Sequence, residues 1–219
     1  LVEHLRSSLT TGAETRDVLV YYPQPLAAFV HAQMQEHQWE NAAGYDVVVS
    51  KGFTELKPSA YTAKDGEAVQ DFRQTVEDRG RIAQLLFGGF QRGLYSVQKF
   101  DSDSERRLAI ILDRDSQKWF RPASGQFQIS YKLGVSVRDY QPDFVAETTH
   151  CIYMLEPKAK NEMTSPEVLA KKDAAVIWCN RATTHALGNG GKPWRYVLIP
   201  HDVIAENMTL AGLASQFSY

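Results

Sequence analysis

Cysteine is scarce in this chain of 219 residues: there are two, Cys151 and Cys179, both among apolar neighbours. Two thiols cannot build a disulfide framework, and neither lies in a CxxC or other zinc-like spacing. A cytoplasmic, reducing location is therefore expected. Long apolar runs are missing, and so is a basic-apolar leader, so neither a membrane span nor a secretory signal is expected. Neither sign of charge dominates. Lys and Arg number 24 against 26 Asp and Glu, and the net charge of −2 gives no global attraction to nucleic acid. Such binding has to come from a local basic patch. The six His residues show no HExxH or other metal-ligand spacing, and His150, His185 and His201 are expected to be structural or exposed. There is no internal repeat and no low-complexity segment.

What is present is an ordinary apolar fraction, 43%, enough for a real core. The first residue is Leu1 rather than Met, so the expectation is a piece of a longer protein. Asn207-Met208-Thr209 fits a glycosylation acceptor, which carries no meaning in a cytoplasmic chain.

The first part reads as mixed. Val18 to Tyr22 is a β-branched and aromatic run, and Pro25 opens a helix-like stretch with Leu26, Phe29, Val30 and Met34 on one face. Tyr45 to Val49 looks like a strand, KPSAYTAKDGE like a loop, and Ala68 to Phe90 like a helix ended by Gly88-Gly89. The second part is better punctuated. DSDSERRLAIILDRD is a helix capped by Ser102 or Ser104, and GQFQISYK is a half-buried strand with Phe127, Ile129 and Tyr131 on one face. GVSVRD reads as a polar link to the strand YQPDFVAE. The next strand runs from His150 to Ala159. A helix with Ser165 at its N-cap and Pro166 at its first position follows, then the strand KPWRYVLIP and a terminal helical piece. Helix, three strands, helix, strand is an α/β layer with helices over a small mixed sheet.

Charges interrupt two of these strands. Residues two apart share a face of a strand, so Ile152, Met154, Glu156 and Lys158 line one side. A short turn would bring Asp143 to the same end of the sheet. Two bare carboxylates there would repel, and one would tend to hold a proton. Oxygen donors of this kind suit a hard divalent cation. Lys158 could orient a water or neutralise charge developing on a phosphoryl group. Pro157 lacks an N–H but keeps a carbonyl oxygen, and it marks an edge or strand end. Glu105 shares a helix face with Leu108, Ala109 and Leu112, so it points inward. Each acid has a plainer reading. Ser102 and Glu105 have capping-box spacing, Glu156 and Lys158 could be a surface pair, and Asp143 could be a turn residue. Lys171 and Lys172 could reach a phosphate or lie along apolar neighbours. GNGGKP has the look of a phosphate loop, but Ala186 and Pro193 break that motif, so it is read as a turn. Trp119, Trp178 and Trp194 are expected in the core.

An inward helical acid, then Pro142-Asp143 on one strand, then Glu156-Pro157-Lys158 on the next, resembles the signature of the PD-(D/E)xK nuclease superfamily. The blocks KFDSDSERRLAIIL, WFRPASGQF, YQPDFVAET, YMLEPKAK, KKDAAVIWC and KPWRYVLIPHD are similar to the C-terminal endonuclease region of type III restriction enzyme Res subunits and related helicase-nuclease proteins. The likeness runs from Phe87 to Leu213. It implies an α/β restriction-endonuclease-like core of order αβββαβ over residues 95–219. It also implies a smaller α+β connector over residues 1–94, which follows a helicase motor in the parent protein.

The activity implied is Mg²⁺-dependent hydrolysis of DNA phosphodiester bonds, with Mn²⁺ able to substitute. Glu105, Asp143, Glu156 and the Pro157 carbonyl would hold one or two ions, and Lys158 would steer the attacking water. Lys171 and Lys172 are secondary candidates for touching DNA, read from their place early in the helix, with Lys172 expected to lie along its apolar neighbours instead. The implied partners are double-stranded DNA, a helicase domain in the same parent chain and a modification or recognition subunit. No membrane and no ATP site in this segment are expected. The alternative from another class is a non-catalytic DNA-clamping or docking module that keeps the nuclease-like fold. A nuclease for RNA or single strands is a third reading, which lacks interleaved aromatic and basic residues.

Overall fold

The computed structural model describes residues 15–37, 55–58, 66–134 and 136–219. The chain divides into two compact units, residues 1–50 with 134–136, and residues 51–133 with 137–219. In the first unit, helix α1 (Thr15–Tyr21) is followed by α2 (Pro23–His37). The β-branched run from Val18 is thus helical to Tyr21, and the second helix opens at Pro23 rather than Pro25. The strand expected at 45–49 and most of the loop expected after Lys57 lie outside the described residues.

The second unit holds three sheets. Strands β1 (Val69–Asp71), β2 (Leu86–Gly88) and β3 (Val97–Gln98) form a small sheet, with β1 parallel and β3 antiparallel to β2. The helix expected from Ala68 to Phe90 is therefore not formed. That segment is two strands joined through a 3₁₀ turn at Arg79–Gln84. Non-local pairing overrides the local helical pattern here, as it often does for short strands. Gly88 shows why glycine is needed: a Cβ there would lie 2.7 Å from Val69 Cγ1. Phe72, Ile82 and Phe87 from this stretch enter the same core as Leu108, Trp119 and Phe144. The division expected at residue 94 does not coincide with a break in packing.

Helix α3 (Asp103–Asp115) follows, then strand β4 (Lys118–Phe120). Strands β5 (Ile129–Leu133) and β6 (Ser136–Tyr140) make a separate two-stranded sheet. The GVSVRD link thus contains a strand, and GQFQISYK belongs to this hairpin rather than to the main sheet. β6 escapes a pattern-based reading because only its last residue, Tyr140, is buried. The main sheet has the order β4-β7-β8-β9, with β7 (Phe144–Glu147), β8 (Ile152–Lys158) and β9 (Trp194–Pro200). Its first two pairings are antiparallel and β8–β9 is parallel. The parallel step is crossed by α4 (Pro166–Gly188), capped by Ser165 with Pro166 leading. Helix α5 (Leu210–Phe217) ends the chain.

Each face of the sheet has its own core. Phe144, Leu155, Val197 and Ile199 pack with α3 and α5, while Val145, Met154, Tyr196 and Leu198 pack with α4 and the β5–β6 hairpin. This is the two-periodicity of strands buried on both sides. Among the described residues no helix is long and apolar enough to cross a membrane.

Candidate active site

The register of β7 and β8 places the first two acids. Phe144 pairs with Leu155, so Asp143 stands one step further out, facing Glu156. Glu156 follows Met154 on the α4 side of β8, and Lys158 comes next on that side. Pro157 is the penultimate residue of β8, beyond its last partner on β7, so the expected strand end is met. Glu156 is only 6% exposed. Its Oε2 accepts a hydrogen bond from the Tyr140 hydroxyl at 3.0 Å, and Lys158 Nζ lies 3.4 Å from Oε1. It is therefore a buried, doubly engaged carboxylate and not a surface pair.

Glu105 reaches the same end of the sheet from α3. Ser102 caps the helix by accepting the Glu105 N–H at 3.3 Å, while Glu105 Oε2 accepts the Asp101 N–H at 3.0 Å. The capping reading is thus realised, closed one residue before the usual position. The same oxygen also lies 3.1 Å from Arg121 Nη1. Arg121 further binds Asp101 at 3.1 Å and the Lys99 carbonyl, and sits over the rings of Phe100 and Phe144. It follows directly on β4, whose Phe120 pairs with Val145, so the register carries it to Phe144, the neighbour of Asp143, whose charge it also senses.

These groups share one electrostatic field. Burial pushes the Asp143 carboxyl up to about 8, with Glu156 raising it further, and Arg121 and Lys158 opposing. Burial likewise pushes Glu105 up to about 7, against Arg121 and with Asp143. Glu156 is raised by burial and pulled back by Lys158, Tyr140 and Lys171. Among the described residues no group donates a hydrogen bond to the Asp143 carboxylate. Crowded acids that hold each other's protons are relieved by a cation.

The expected four-donor metal set is only partly assembled. Among the described residues no three His, Cys, Asp or Glu side chains come together as a metal-holding group. Asp143 and Glu156 suit a divalent cation by their chemistry and adjacency. Glu105 does not join them directly, because it arrives from the α3 layer and its carboxylate is taken by Arg121. The His201 ring lies near the Pro157 carbonyl, and burial lowers its pKa.

The two lysines of α4 diverge. Lys171 bonds Glu167 at 2.8 Å, lies over the Tyr131 ring and interacts with Glu156. Lys172 pairs with Asp173 at 3.3 Å and lies over the ring of Tyr219. Sequence reasoning missed Arg121 and Tyr140. Arg121 had a faint signal, as a lone cation closing the apolar WF run before Pro122. Tyr140 had none beyond its nearness to Pro142-Asp143, since its partner is distant in sequence. Comparison of the chain with protein-family models, with curated proteins and with solved structures finds no match.

Proposed function

We propose that the second unit is a metal-dependent endonuclease domain that hydrolyses DNA phosphodiester bonds, of the PD-(D/E)xK kind. One observation supports this reading: Asp143 stands just beyond the β7–β8 pairing and shares its field with Glu156, while Lys158 lies 3.4 Å from Glu156, at one end of a mixed sheet. Asp143 and Glu156 would hold Mg²⁺, or Mn²⁺ in its place, with Glu105 joining on release from Arg121. A divalent ion held there would supply Lewis-acid polarisation of the scissile phosphate and of a water. Lys158 opposes the upward push of burial on Glu156 and places a cation where negative charge would develop on the phosphoryl group. Lys171 adds positive charge at the approach, while Glu167 holds it in place. Arg121 counters the charge of Glu105 and Asp143. A helicase motor in the parent chain and a separate recognition subunit belong to the same proposal and rest on the sequence resemblance.

A second reading, a non-catalytic DNA-clamping module, is favoured by the Arg121–Glu105 ion pair, which withholds the third acid. Conversion of supercoiled plasmid to nicked circles separates the two. Mg²⁺-supported nicking by the wild type, lost in Asp143→Ala and in Lys158→Ala, is expected of the nuclease. Equal activity in all three proteins, with or without chelator, sinks it.

A further inference from the structure

The Glu156 carboxylate is held from behind by a buried phenol. Tyr140, 3% exposed, donates to Glu156 Oε2 at 3.0 Å. The ring of Tyr196, 1% exposed, meets the Tyr140 ring edge to face at 6.5 Å and fixes where that phenol sits.

Tyr140 is itself held in place. It closes β6, and the hairpin it belongs to is tied to the first turn of α4 at Glu167. Tyr131 donates to Glu167 at 3.2 Å and Arg138 lies 3.7 Å from it. Ser130 of β5 also donates to Asp139 of β6 at 3.1 Å. The β5–β6 hairpin contributes no strand to the main sheet, yet its one buried β6 residue ends on the candidate catalytic acid.

We propose that Tyr140, backed by Tyr196, is a positioning residue: it fixes the rotamer of Glu156 so that the second carboxylate oxygen, beside Lys158, faces Asp143 and the metal. This inference rests on the nuclease reading for its catalytic meaning. Groups behind a ligating carboxylate commonly change metal affinity or activity by about 10–100-fold when removed. Phenylalanine keeps the ring and its packing and deletes only the hydroxyl.

The test uses the whole chain, wild type against Tyr140→Phe and Tyr196→Phe. Mn²⁺ affinity is measured by calorimetry, and Mg²⁺-supported plasmid nicking is resolved into kcat and KM. Tyr140→Phe is expected to weaken Mn²⁺ about 10-fold and to lower kcat by a similar factor, with KM for DNA within about twofold. Tyr196→Phe keeps the ring that packs edge to face on Tyr140 and is expected to stay within about twofold of wild type in both readouts. A role in packing alone would lower the unfolding midpoint and leave kcat per folded molecule and Mn²⁺ affinity unchanged; that result overturns the proposal. If wild type binds Mn²⁺ without cleaving DNA, the nuclease reading fails. The weakening of Mn²⁺ in Tyr140→Phe then still supports the positioning of Glu156, and its absence overturns it.

Discussion

The two ends of α3 both deliver a buried acid, but the acids they meet differ. At the C-terminal end, Asp113 is 7% exposed and completely engaged. It accepts N–H groups from Gln91 at 3.1 Å, Arg92 at 2.8 Å and the Trp119 indole at 3.0 Å. At the N-terminal end, Glu105 looks onto Asp143, which accepts no hydrogen bond among the described residues and faces a second carboxylate. A buried carboxylate with a full set of donors is a structural fastener. Acids packed together with too few donors are costly to keep charged, and folds retain them where chemistry needs them. The contrast between Asp113 and Asp143 separates a structural from a functional reading on one helix and one sheet.

The largest effect that could break this contrast is on activity. Asp143→Asn is expected to reduce Mg²⁺-supported nicking by at least about 100-fold while the protein stays folded, since it removes a metal donor and no hydrogen bond. Asp113→Ala is expected to do the reverse. It strands several buried N–H groups and costs about 3 kcal/mol in denaturant unfolding, with nicking per folded molecule unchanged. If Asp113→Ala abolishes cleavage in a protein of normal stability, the two acids have been assigned the wrong way round.

Stability against pH gives a smaller effect of definite sign. Asp143 and Glu105 titrate near 8 and near 7 in the folded state, against about 4 in the unfolded chain. Between pH 4 and 8 the folded protein therefore holds protons that the unfolded chain has released, and stability falls as pH rises through that window. Asp143→Asn removes the larger part of the slope. It is expected to be more stable than wild type at pH 8, on the order of a few kcal/mol, and close to it at pH 4. Unfolding midpoints across this range check it, and parallel curves for the two proteins contradict it.

Several of these features were legible in the sequence, and the physics explains which. Ser102 as a cap, Ser165 with Pro166, and the alternation of β8 are local signals, and all stand in the structure. The facing of Asp143 and Glu156 followed from a short turn between paired strands. β6 was read as a link because an exposed strand has no apolar alternation. The stretch from Ala68 was read as a helix because parallel pairing of β1 with β2 is a long-range event. The same holds for Arg121 on Glu105 and Tyr140 on Glu156. An ion pair or hydrogen bond between residues 16 apart leaves no periodic trace.

The smallest expected effect separates the two lysines of α4. Lys171→Ala is expected to slow nicking about 10-fold by removing a cation that Glu156 senses. Lys172→Ala, whose ammonium lies over Tyr219, is expected to stay within about twofold of wild type. Equal losses in both would mean that the whole helix start lies on DNA.

The most direct measurement is Mn²⁺ binding by calorimetry at pH 7.5 to wild type, Asp143→Asn and Asp113→Asn. Binding in the wild type, loss in Asp143→Asn and retention in a folded Asp113→Asn is the expected result. Equal Mn²⁺ affinity in wild type and Asp143→Asn, or none in either, would contradict a divalent-cation site at Asp143 and Glu156.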